Sequence, residues 1–219
     1  MKKRLLALSL ALVMVFVLAA CGESTTDPSA EPSTAPSAAV SVGPADVPDV
    51  EASANLQFGT GSPTGTYYGF GSTFGTYISN NTGVSITAVS TAGSHANIEM
   101  VDAGEYDLGF VQSDVMSYAY AGTNLLTEPV TGFTTLAALY MEQVQIVTLD
   151  PEIKTVADLE GKTVSIGAVG SGVYFNALDV LGAYGLTEED IDPVTQNFDD
   201  SVESLQDGRI SAAFIVAGA

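Results

Sequence analysis

Two glycine-rich turns carry the residues best suited to holding a ligand. The first is Gly59-Thr-Gly-Ser-Pro-Thr-Gly-Thr66 and the second is Gly167-Ala-Val-Gly-Ser-Gly-Val173. Each stands where a strand pattern gives way to a helix pattern. Glycine lets the backbone turn sharply and lets a ligand approach it closely. The helix that follows aims unsatisfied N–H groups and the positive end of its dipole at the turn, which suits phosphate or carboxylate. Ser62, Thr64, Thr66 and Ser171 add hydroxyl groups. For a single turn of this kind, a tight connection without a ligand is the plain alternative. Two turns at matching positions of two halves favour binding. A third strand-to-helix junction, Ser90-Thr-Ala-Gly-Ser-His-Ala-Asn97, offers Ser90, Ser94 and Asn97 as hydrogen-bonding groups. Among the tyrosines, Tyr68 and Tyr174 fall just inside the helices after the two turns and are the expected aromatic contacts.

Other chemistries fit poorly. Gly59-x-Gly61-x-x-Thr64 lacks the third glycine of a dinucleotide fingerprint. Gly161-Lys162-Thr163 resembles the end of a Walker loop, but Val156 stands where its first glycine belongs, so Lys162 reads as a solvated strand start. His95 is the only histidine and Cys21 the only cysteine, which excludes a Cys/His metal site. A catalytic histidine needs a nucleophile and an orienting acid at a known spacing, and Ser94 and Asp102 supply none. His95 therefore reads as a partly exposed residue near a helix cap. No Gly-x-Ser-x-Gly elbow occurs. The acid pairs Glu188-Glu189 and Asp199-Asp200 read as solvated helix starts. An oxygen-ligand calcium site stays open, although no EF-hand spacing is present. The expectation is a protein that is not an enzyme, with no catalytic residue, no metal site and no cofactor.

The N-terminus speaks to location. Lys2, Lys3 and Arg4 precede an apolar run from Leu5 to Ala20, and Leu18-Ala-Ala-Cys21 follows the pattern of a bacterial lipobox. The run is too short to be a stable span and reads as a secretory signal. Residues 1–20 would be removed and Cys21 lipidated. An ordinary signal peptide with an incidental cysteine is the other reading. After cleavage Lys154, Lys162 and Arg209 face 26 acidic residues, a formal charge of −23. A surface this acidic repels nucleic acid and anionic lipid. Residues 22–53 hold five of the nine prolines and almost no large apolar side chain. Such a stretch buries too little to offset ordering entropy and reads as a disordered tether, with a reach of roughly 30 Å.

Positioning the candidate groups requires alternating strands and helices. Strands are expected at Asn55–Gly59, Val84–Ala88, Asp107–Gln112, Thr134–Tyr140, Gln143–Leu149, Thr163–Gly167, Val194–Asn197 and Ala212–Val216. Helices are expected at Thr66–Asn80, Ser94–Ala103, Ser113–Ala121, Val173–Tyr184 and Ser201–Gln206, with a short one after Thr155 and another start at Thr187. Phe70, Phe74, Tyr77 and Ile78 give the first helix its period. The fold class is α/β with mostly parallel sheets. The domain plan is a signal peptide at 1–20, lipidated Cys21 with its tether at 21–53, a first α/β lobe at 54–138 and a second at 139–219. The chain stops straight after an apolar strand, so the second lobe is expected to be incomplete.

The ordered motifs resemble a family. They run from Gly59-Thr-Gly-Ser-Pro-Thr-Gly-Thr-Tyr-Tyr68 through Ser90-Thr-Ala-Gly-Ser-His-Ala-Asn-Ile98 and Gly104-Glu-Tyr-Asp-Leu-Gly-Phe-Val-Gln-Ser-Asp114. Leu139-Tyr-Met-Glu-Gln-Val-Gln-Ile146, Gly161 to Gly172 and Asp207 to Ala219 complete the series. Together they resemble the TAXI-type solute-binding proteins of TRAP transporters across residues 55–219. The resemblance implies a two-lobed, periplasmic-binding-protein-like fold closing on a small organic acid or amino acid, glutamate-like or dicarboxylate-like. It implies delivery to the permease subunits of a TRAP transporter driven by an ion gradient. It also implies cleft contacts at Ser62, Thr64, Thr66, Tyr67, Tyr68, Gly93, Ser94, Gln112, Ser113, Gly170, Ser171 and Gly172. Pro63, in place of a small residue, and His95 depart from the family pattern. None of the three remaining cations lies in these turns, so an acidic ligand would rest on helix N-termini and hydroxyls. A binding protein of an ATP-driven importer or a sensor, and a secreted hydrolase, are the competing readings.

Overall fold

A computed structural model describes residues 55–219. The expected signal peptide, Cys21 and the tether lie outside these residues. Two parallel-rich sheets organise the chain. The first is built from β1 (Asn55–Gly59), β2 (Ser85–Val89) and β3 (Leu108–Gly109) in the order β2-β1-β3, all parallel. The second is built from β4 (Val144–Thr148), β5 (Thr163–Ser165), β6 (Asp192–Val194) and β7 (Ala212–Val216) in the order β4-β7-β5-β6. Only the β4–β7 pair is antiparallel.

Five α-helices connect the strands: α1 (Thr66–Thr82), α2 (Ser94–Asp102), α3 (Ser113–Ala121), α4 (Gly172–Ala183) and α5 (Phe198–Gln206). The expected α/β alternation is what the structure shows. In α1 the buried positions are Gly71 and Gly75, not the aromatic residues that mark its period. A Cβ on Gly71 would lie 2.6 Å from Thr60 Cγ2, and one on Gly75 would lie 3.1 Å from the Ile86 carbonyl oxygen. The helix therefore lies almost backbone-to-sheet, and Phe70, Phe74 and Tyr77 stay exposed. Phe70 and Phe74 still touch the sheet obliquely, through ring contacts with Phe110 and Phe58.

Helix α4 is apolar on two sides, and each side has a partner. Val173, Ala177 and Leu181 join Leu159, Val164, Ile166 and Phe214 in the core of the second sheet. Phe175 instead enters the cluster of Ile98, Val115, Ala119 and Leu126 beside the first sheet, at 0% exposure. Its ring stacks on Tyr118 and meets His95 edge-on. A helix that is apolar around most of its girth belongs between two packed bodies, and α4 occupies that place.

Several expected elements differ in detail. Thr134–Tyr140 forms no strand, and Leu136, Leu139 and Tyr140 are exposed. A strand needs a ladder partner, and no described segment pairs with this run. The expected Asp107–Gln112 strand pairs only over Leu108–Gly109. The strand placed at Val194–Asn197 runs instead from Asp192 to Val194 and contains Pro193, which an edge strand tolerates. The turns after Thr155 and Thr187 are single 3-10 turns at Val156–Leu159 and Glu188–Asp190. In each, the threonine and an aspartate three residues on form a reciprocal capping box.

Candidate functional site

In a parallel βα unit the strand ends where the next helix begins, so strand C-termini and helix N-termini share one edge. The two sheets of this chain turn such edges toward one cavity of about 600 Å³, mouth included. All five α-helices of the described residues bring their N-terminal ends to its lining. Gly65, Thr66 and Tyr67 come from α1, Gly93 and Ser94 from α2, and Gln112 from the cap of α3. Ser171, Gly172 and Val173 come from α4, and Asn197 and Phe198 from α5. Each helix start carries a partial positive charge of roughly half a unit. Among the described residues, no lysine, arginine or histidine lines the cavity. The positive potential there is therefore that of backbone amides.

A buried asparagine braces the first wall. Asn97 is fully buried and donates from Nδ2 to the carbonyls of Thr60, 2.7 Å, and Phe110, 2.8 Å. Its Oδ1 accepts the Thr91 hydroxyl at 2.8 Å. One side chain thus ties the C-terminal ends of β1 and β3 to the junction after β2. Ser90 likewise donates to the Gly61 carbonyl. Both were candidate ligand groups by type, and both are spent on the framework. Gly93, with φ of 124°, takes a backbone conformation that favours glycine, and a Cβ there would meet Ser171 Cα at 3.5 Å.

Of the twelve positions expected from the resemblance, eight line the cavity: Ser62, Thr66, Tyr67, Gly93, Ser94, Gln112, Ser171 and Gly172. The other four, Thr64, Tyr68, Ser113 and Gly170, do not. Thr64 instead donates to Asp199 Oδ2 at 3.0 Å. The Gly170 carbonyl accepts the Ala96 amide at 3.0 Å, which occupies one free N–H of α2. Thr66 donates to the Gly218 carbonyl, and Ser171 caps its own helix by accepting from the Tyr174 amide. Of the two adjacent tyrosines expected at the cleft, Tyr67 lines the cavity and Tyr68 does not. The hydroxyl of Tyr174 donates to Glu188 Oε1, away from the lining. His95 is not part of the lining either; its Nε2 lies 3.4 Å from Glu99 Oε1 without a hydrogen-bond geometry.

Among the described residues, Glu142 is the one charged residue of the lining, and the turn patterns did not single it out. It follows the exposed run ending at Met141 and precedes β4. Tyr67 donates to Glu142 Oε2 at 2.8 Å. Burial raises the Glu142 carboxyl above its ordinary range, against the lowering effect of the Tyr67 hydroxyl and then of the Gln112 amide. Burial, then the Glu142 charge, raise the Tyr67 hydroxyl far above its ordinary value and push Tyr140 up to about 12. Both phenols therefore stay protonated, and Tyr67 stays a donor. A signal for Glu142 existed in sequence, since it is the one charged residue between Phe133 and Leu149. Among the described residues no group of three or more His, Cys, Asp or Glu side chains is placed to hold a metal ion.

A parallel-rich α/β chain whose helix starts converge on one cavity has the fold of the periplasmic-binding-protein-like proteins, and solved structures share it. The chain is similar to the alkanesulfonate-binding protein SsuA from Xanthomonas axonopodis pv. citri bound to MOPS: 21% identity, 75% of this chain and 55% of that one covered, TM-score 0.50. It is similar to an ABC uptake transporter substrate binding protein from Streptococcus pneumoniae with bound histidine: 16% identity, 75% and 66% covered, TM-score 0.52. An ancestral arginine-binding protein bound to glutamine matches at 17% identity, with 74% and 70% covered and a TM-score of 0.50. The chain thus spans about 55% of the length of the SsuA protein it matches. Residues 58–219 match the model of the NMT1-like family, and the chain belongs to that family.

Proposed function

We propose that this protein is an extracytoplasmic solute receptor, anchored through lipid at Cys21, that captures a small organic acid or amino acid. It delivers the solute to the permease subunits of a TRAP-type transporter driven by an ion gradient, as a TAXI-type binding protein. The observation that carries the receptor reading is the convergence of five helix N-termini on one cavity without a side-chain cation. Such a site holds a carboxylate by backbone donors. The binding-protein fold and the ordered motifs of the sequence support the same reading. Residues 54–138 and 139–219 serve as the two lobes, and 21–53 as the tether that keeps them near the membrane.

A thermal-shift screen of small organic acids and amino acids on the purified protein tests this. A ligand at a hundred times its dissociation constant adds about 2.7 kcal/mol and moves the midpoint clearly. Turnover of a bound compound, or no shift with any of them, would count against the proposal. A binding protein of an ATP-driven importer is the second reading, favoured by the uptake-transporter protein among the similar structures. Uptake into vesicles with the permease separates the two: the first needs an ion gradient, the second needs ATP.

A further inference from the structure

Two residues that line the cavity carry acceptors, and neither faces a cation among the described residues. The first is Glu142, whose carboxylate receives the Tyr67 hydroxyl and has no ion-pair partner among the described residues. The second is Gln112 Oε1, which is buried and has no hydrogen-bond partner. Its orientation is set by a relay. Asn176 must turn its NH₂ toward the Asp114 carboxylate, which can only accept. That leaves Asn176 Oδ1 facing Gln112, so Gln112 gives it Nε2 at 3.0 Å. The Gln112 amide is thereby fixed with its oxygen pointing away from Asn176 and unpaired. A flipped Gln112 would place two oxygens against each other.

A buried carboxylate without a cation and a buried amide oxygen without a donor are both costly, which is why such groups are paired in folded proteins. Burial also raises the Glu142 carboxyl, the direction expected of an acid without a cation beside it. Tyr67 joins this acceptor pole to the donor pole. It is the second residue of α1, at a helix start, and its hydroxyl lies on Glu142.

Resting on the receptor reading, we infer that the ligand is a zwitterion, its carboxylate held by the helix N-termini and its ammonium group by Glu142 with Gln112 Oε1. A ligand with carboxylates alone would leave Glu142 without a cation and Gln112 Oε1 without a donor, and would bring a second negative charge toward Glu142. The ligand class is therefore an amino acid and not a simple organic acid.

Calorimetric titration of the full chain with matched pairs tests the inference: L-glutamate against glutarate, L-alanine against propionate, and L-leucine against 4-methylpentanoate. In at least one pair the amino acid binds tenfold or more tightly than its des-amino partner. Glu142→Gln, which keeps the volume and can still accept from Tyr67, loses at least tenfold for that amino acid. It keeps or improves affinity for the des-amino acid, which also reports that the variant is folded. Equal affinities within every pair that binds, or an unchanged amino-acid affinity in Glu142→Gln, overturn the inference while the receptor reading stands. Failure of every compound of both series to bind overturns the receptor reading together with it.

Discussion

Replacing Asn97 with leucine should destabilise the protein far more than any surface change. Leucine keeps the volume, so no cavity term enters. What is lost is three hydrogen bonds, to Thr60 O, Phe110 O and Thr91 Oγ1. At a net value of about 1 kcal/mol each the loss is about 3 kcal/mol. The Phe110 carbonyl also becomes stranded in a buried place and adds a desolvation cost of about 1 kcal/mol or more, while the Thr60 carbonyl keeps the Thr91 hydroxyl, for a total of about 4 kcal/mol. Asn97→Asp should do comparable harm, because a carboxylate cannot donate to the two carbonyls and brings a buried charge. Ser90→Ala is the control. It removes one half-buried bond to Gly61 O and should cost under about 1 kcal/mol. Urea unfolding of the full chain, with midpoints converted through a common m-value, reads all three. A cost for Asn97→Leu below about 1 kcal/mol would refute the reasoning, since the carbonyls would then have found other donors.

Neutralising Lys154, Lys162 and Arg209 together should leave ligand affinity within a few-fold, because none lines the cavity and two pair with Asp150 and Asp207 at the surface; a hundredfold loss in a binding titration would refute a backbone-held anion. Gly172→Ala should weaken binding about tenfold or more: its Cβ would lie 1.7 Å from Gln112 Oε1 and 2.8 Å from Ser94 Oγ, so Gln112 must leave its relay. Unchanged affinity in that variant would mean Gln112 does not contact the ligand. Without ligand, Glu142→Gln should stabilise the protein above the acid range. Because burial lifts the folded carboxyl above its ordinary value of 4.5, the unfolded chain releases its proton first as pH rises, and wild type loses stability through that window and stays lower above it. Below the window both states are protonated and the two proteins should converge; a gap in melting temperature that widens toward acid pH would contradict the sign.

Much of the framework was legible because it rests on local patterns. β1, β7 and α3 stand where alternation, apolar runs and a closing glycine put them. The capping boxes at Thr155 and Thr187 could be read from a threonine and an aspartate three residues apart, although each turn proved to be 3-10. Thr134–Tyr140 misled because an apolar run signals a strand only where another strand supplies the ladder. In α1 the aromatic residues gave the right period but the wrong buried face, since close approach through Gly71 and Gly75 is a steric outcome invisible to hydrophobic spacing.

The sequence by itself determined the class of the protein and the turns that build its site. Parallel alternation forces strand ends and helix starts to one edge, and glycine in those turns lets a ligand approach the backbone closely. Composition alone leaves the turns without side-chain cations. Only the tertiary structure decided which groups face the ligand. Asn97 and Glu142 are both polar side chains near element boundaries, and nothing local distinguishes them. One is saturated by carbonyls from two different strands and becomes a brace. The other meets Tyr67 from 75 residues away and no cation, and so is left with an acceptor to offer. Whether a polar group is spent or available depends on partners distant in the chain, which local spacing does not encode.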